Sequence, residues 1–143
     1  MKQLEINKGM LAPCYNFLYH LKVPSSKINR KKYNLMDLLE KKVKEVNNEE
    51  KLIWEDLAEK NEKGEPEIDI NSNYVLSPEN KIKASQELTE LYEEKVVMNY
   101  GEYVKNIDEI MAYLDDYEGE ISGHDGNALN ILLNAYENGK DDK

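Results

Sequence analysis

Apolar residues fall in two rhythms along this chain. Leu4 and Ile6 alternate with polar neighbours, the period of a short half-buried strand. Leu11, Cys14, Phe17, Leu18 and Leu21 then recur at three- and four-residue steps, which predicts a short helix with Pro13 in its first turn. "VPSS" breaks that pattern. From Ile28 the same helical phase continues through Leu35, Leu39, Val43, Val46, Ile53 and Leu57. Asn47 and Asn48 interrupt the composition but not the phase, so one helix of about 30 residues is favoured over a kinked pair. A stripe that long exceeds what a small domain covers, which leaves part of it for a second helix or another protein.

Gly64 and Pro66 are expected to terminate the long helix, and "EIDI" and "NYVL" read as two short strands around "NSN". Ser77-Pro78-Glu79 is a strong helix start: a hydroxyl cap, a proline that needs no donor, and an acid at the positive end of the dipole. The helix runs to about Glu94, with Ile82, Leu88, Leu91 and Tyr92 on its apolar side. "KVVMNYGEY" suits a strand turned by Gly101. Asn106 caps a further helix with Ile107, Ile110, Met111 and Leu114 inward, and Gly119 ends it. A last helix carries Leu129, Leu132, Leu133 and Tyr136. The expected fold is α+β and mostly helical: one long N-terminal helix, three or four shorter ones and a small antiparallel sheet. Residues 1–138 should form one globular domain and residues 139–143 a frayed acidic tail.

Charge changes the picture more than size does. Charged residues are 34% of the chain and apolar ones 40%, so the helices should be amphipathic elements around one thin core. Residues 1–50 hold ten Lys/Arg against six Asp/Glu, whereas residues 51–143 hold nine against twenty-three. With a net charge of −10, direct nucleic-acid binding is disfavoured except through the basic N-terminal third, and basic partners fit better. Acidity that merely keeps a small protein soluble is the simpler alternative. No stretch approaches the roughly 20 apolar residues of a membrane span. The N-terminus lacks a signal-peptide pattern, which points to a cytoplasmic location. Cys14 cannot form an internal disulfide, in keeping with a reducing compartment, and its apolar neighbours suit a small buried residue rather than a nucleophile.

The densest chemistry lies in "YLDDYEGEISGHDG", residues 113–126. A calcium loop begun at Asp116 places Ile121 sixth, where a glycine is needed, and Asn127 twelfth. A zinc site needs paired histidines or cysteines, and His124 and His20 are far apart in sequence. Ser122-x-x-Asp125 instead reads as an acidic capping box. It leaves Asp115, Asp116, Glu118 and Glu120 unexplained. Residues 102–125 hold eight acids and one lysine, so either a docking face for a partner's basic residues or a solvated surface accounts for them. No phosphate loop, G-x-S-x-G, C-x-x-C or H-E-x-x-H is present. No catalytic residue, metal or cofactor is expected. Ten tyrosines against one phenylalanine favour half-buried edges and contact surfaces, with Tyr103 among them. Trp54, on the acidic half of the long helix, is the best single anchor candidate, with packing over the domain's own core as the alternative.

"LEINKGMLAPCYNFLYHLKV", the run ending "EDLAEKNEKGEP", the strand-like "VVMNYGEY" and the closing "YLDDYEGEISGHDGNALNILLNAYE" resemble, in this order, a small phage and prophage protein family of low-GC Gram-positive bacteria. It is catalogued as domain of unknown function 1617. The resemblance spans nearly the whole chain, departs from the family between Gly64 and Pro78, and matches its basic helix start only loosely at "VPSSKINRKK". It implies a phage gene expressed in the host bacterial cytoplasm and brings no catalytic residues. With the acidic C-terminal region, it leads to an expected non-enzymatic inhibitor. Asp115, Asp116, Glu118, Glu120, Trp54 and Tyr103 would meet the basic surface of a host protein or nucleoprotein, such as a CRISPR effector. The alternative is a particle-assembly protein that self-associates, for instance as a homodimer through the long helix.

Overall fold

The computed structural model describes residues 2–140. β1 (Gln3–Asn7) runs directly into α1 (Lys8–His20), and α2 (Ser26–Leu57) follows after a short extended link. A looped segment leads to α3 (Pro78–Glu93), β2 (Lys95–Asn99), a single 3-10 turn (Gly101–Tyr103), α4 (Val104–Asp115) and α5 (Gly123–Lys140). The fold is α+β and mostly helical. The sheet is antiparallel and two-stranded, pairing Leu4 with Met98 and Ile6 with Val96. Leu4, Ile6 and Met98 point into the core.

α2 is continuous through Asn47 and Asn48, because the apolar phase on either side is the same. Ser25 starts it by accepting from the Ile28 amide at 3.2 Å. Leu35, Met36, Leu39 and Val46 bury against α1 and α4 in the main core, while Leu57 enters a second cluster with Ala58, Leu76 and Ala84. The chain's own helices α1, α4 and α3 thus cover most of the long stripe, and Leu52 remains 66% exposed.

Several local expectations are corrected. α2 stops at Leu57 rather than near Gly64, because the backbone amides beyond it are taken by the loop: Glu59 donates to Val75 and Glu67 to Glu59. The strands expected at 67–70 and 73–76 are only isolated bridges, Lys60 with Pro66 and Ile68 with Tyr74, so the sheet forms from β1 and β2 instead. Pro13 lies inside α1, which starts earlier than the apolar spacing suggests. α4 begins at Val104 without a side-chain cap, so Asn106 falls within it, and it ends at Asp115 rather than Gly119. Ile82 is 63% exposed, because α3 approaches α2 through the small Ala84 and through Leu91, a different face. α5 reaches Lys140, into the stretch expected to fray, and a Cβ on Gly139 would lie 1.8 Å from the Gln3 carbonyl oxygen. That close approach packs the end of α5 on β1. Residues 141–143 lie outside the described residues.

Candidate functional site

Two helices with matching patterns form the clearest site. On α2, Glu49, Leu52, Ile53 and Asp56 recur at three- and four-residue steps and share one face. On α3, Glu87, Glu90, Leu91 and the capping Glu94 repeat the same spacing. The second core cluster sets the two helices side by side. Ala84 is small enough for close contact, Trp54 and Tyr74 pack over the cluster, and Asn80 Nδ2 donates to the Leu57 carbonyl at 3.0 Å. The two faces flank a shallow, open groove of about 560 Å³. Its floor is Ile53 and Leu91, the exposed Leu52 stands at its edge, and five carboxylates rim it.

Lys8 closes one end. Its ammonium reaches Glu49 at 2.9 Å and Glu94 at 2.8 Å, and those hydrogen bonds, Glu49 first, raise its pKa above the usual lysine value. Among the described residues, Asp56, Glu87 and Glu90 make no ion pair. The groove therefore holds more negative charge than the fold neutralises, over an apolar strip that water wets poorly. That combination suits a partner bringing both cations and apolar side chains.

The model of the family described as protein of unknown function (DUF1617) matches residues 2–143. The chain belongs to this family. No curated protein and no solved structure matches it.

The structure distributes this family member's sequence-predicted residues over three neighbourhoods. Asp115 ends α4, and Asp116, Glu118 and Glu120 follow in the exposed junction to α5. Tyr113 and Tyr117 pack edge to face there, 6.2 Å apart. Glu120 and Asp125 line a shallow groove with His20 and Lys22 of the α1 end, so the fold brings His20 to the junction despite its distance in sequence. Ser122 and Asp125 make no side-chain hydrogen bond among the described residues, unlike Ser25 and Ser77, whose hydroxyls cap α2 and α3. Gly123 opens α5 with φ of 59°, so the expected capping box is not formed.

Trp54 is half-buried on the second cluster beneath the loop, with Ser72, Asn73 and Tyr74 around it. Tyr103 packs on the main core, and its hydroxyl donates to Asp37 at 3.4 Å. Neither shares the acidic junction. Cys14 is fully buried with Sγ 3.8 Å from the Ala128 carbonyl, and burial pushes its thiol up to about 12. No group of three or more His, Cys, Asp or Glu among the described residues is placed to hold a metal ion, and no described helix is long and apolar enough to cross a membrane. The α2–α3 groove was missed in the sequence because its two faces lie about forty residues apart. The signal was present as a repeated acid-apolar-acid spacing at 49–56 and 87–94.

Proposed function

We propose that this protein acts without catalysis, by receiving a basic, partly apolar segment of another protein in the groove between α2 and α3. The observation that carries the reading is the matched spacing: two helix faces, each with carboxylates outside and apolar residues within, set side by side over one floor. A cationic amphipathic helix fits such a groove, its apolar side on Leu52, Ile53 and Leu91 and its Lys or Arg at the rim. Asp115, Asp116, Glu118 and Glu120 add a second acidic patch that steers approach.

The resemblance to phage and prophage proteins suggests where such a partner lies. The proposed target is a nucleic-acid-handling defence effector in the host bacterial cytoplasm, an anti-CRISPR-like case in which the acidic groove takes up a basic segment of the effector that would otherwise meet nucleic acid. Particle assembly by self-association, or a homodimer through α2, has less support, since α1, α3 and α4 already cover most of that helix's stripe.

Tagged protein drawn from host cells, followed by reconstitution with the purified partner, tests this. Binding should weaken steeply with salt and fall at least about tenfold in a Glu87→Lys, Glu90→Lys variant. A partner bound equally well in low and high salt, or indifferent to those reversals, overturns the reading. So does a stable dimer of the purified chain that buries Leu52.

A further inference from the structure

The other end of α2 carries the opposite charge. Lys27, Arg30, Lys31 and Asn34 fall at three- and four-residue steps and share one face of its first turns. Asn106 of α4 completes a groove of about 450 Å³ on that face, with Asn29 and Tyr33 in its wall. Glu109 pairs with Lys31 from the α4 side. Against that one carboxylate stand Lys27, Arg30 and Lys31, with Lys105 close enough to repel Lys31. Burial first, then Lys27, Lys105 and Arg30, hold the Lys31 ammonium below the usual lysine pKa.

This arrangement works against the fold in two ways. The N-terminus of a helix is the positive end of its dipole, and the first turn of α2 has no acid to offset the cations there. The cations also repel one another. An anion in the groove would relieve both.

The net charge of the chain does not forbid it. α2 has 32 residues and so extends about 48 Å at about 1.5 Å per residue. That separates the basic face from the acidic groove at the far end by several Debye lengths of about 8 Å. A phosphate at the basic end is therefore screened from the carboxylates of that groove, and the nearer negative charge is that of the α4–α5 junction, where Glu120 and Asp125 stand beside Leu21 and Lys22.

The remaining side chains select among anions. The Tyr33 ring is 50% exposed, with the Lys32 ammonium over it at 5.4 Å from its centre. Lys32 is itself buried and anchored to the Leu21 carbonyl at 2.9 Å, so one side of the ring is held in place. An acidic peptide would need only the cations. A platform ring with three carboxamides beside them suits nucleotides, whose bases stack and offer hydrogen-bonding edges. We propose that the groove between the N-terminal ends of α2 and α4 binds single-stranded nucleic acid, with Lys27, Arg30 and Lys31 on its phosphates and Tyr33 stacking on a base. This site is independent of the acidic groove and of any partner bound there.

Fluorescein-labelled oligo-uridine and oligo-thymidine, followed by anisotropy with the intact chain, test it. With three phosphates engaged, log affinity should fall against log salt with a slope of about −2. Lys27→Gln with Arg30→Gln changes two exposed positions and should reduce the slope to about −0.7. Tyr33→Ala should weaken binding about tenfold, while Tyr33→Phe stays close to the parent. Glu87→Gln with Glu90→Gln should leave it nearly unchanged, and circular dichroism of each variant checks that the helices persist. Absence of binding at low salt, or binding that ignores the Lys27 and Arg30 changes, overturns the proposal. Equal binding of poly-glutamate or anionic vesicles, with Tyr33→Ala neutral, also overturns it and reassigns the groove to acidic proteins or lipid headgroups.

Discussion

Cys14 offers a stability test whose size follows from its position. The thiol sits fully buried between α1 and α5, and burial raises its pKa from 9.0 to about 12. A folded pKa above the unfolded one means that the unfolded chain releases its proton first. The stability tied to the neutral thiol is therefore complete below pH 9 and drains away as pH rises toward the folded value. The unfolded thiol is about nine-tenths ionised at about pH 10, and the linkage then removes roughly 1 kcal/mol, rising to roughly 2–3 kcal/mol near pH 11. Other groups contribute in the same range. Lys8 has a raised pKa, and burial pushes Tyr136 up to about 12. The comparison must therefore be between parent and Cys14→Ala, whose shared tyrosines and lysines cancel. Urea unfolding at about pH 8 should show the variant weaker by about 1 kcal/mol or more from lost packing. By about pH 10 the parent should have lost roughly 1 kcal/mol more than the variant, so the two curves converge. Parallel pH profiles would refute the argument and show that the thiol ionises as easily folded as unfolded.

Three further substitutions probe the architecture. Gly139→Ala would ordinarily improve a helix by about 1 kcal/mol, but the new Cβ meets the Gln3 carbonyl oxygen, so thermal melts should show a net loss of roughly 1–3 kcal/mol. A rise in melting temperature would mean that α5 is not seated on β1. Ser77→Ala should cost about 1 kcal/mol, because its hydroxyl accepts from Asn80 at 3.1 Å, whereas Ser122→Ala should change urea stability by only a few tenths. Equal losses at both serines would restore the capping box at α5.

Local signals were reliable where a single helix sufficed to express them. The inward residues of α4 are Ile107, Ile110, Met111 and Leu114, as their spacing indicates, and Ser77-Pro78-Glu79 starts α3. They failed where a neighbour decided the outcome. Ile82 was read as inward, but the contact with α2 runs through Ala84, and the larger residue is left in solvent. Pro13 looked like a helix start, yet β1 feeds α1 five residues earlier. The opening of α5 kept its serine and acid but not the geometry that would let them cap.

The candidate site divides the same way. Acidic character toward the C-terminal half, basic character in the first third and the long amphipathic helix joining them are all properties of the linear order of residues. Those residues alone determined which faces would be charged, because side-chain direction along a helix repeats with a fixed period. Only the packing of α3 on α2 turned two acidic faces into one groove, and only α4 beside the first turns of α2 shaped the basic one. Periodicity states which side of a helix seeks cover, while the helix that supplies it depends on shape, and on small residues such as Ala84 that permit close approach.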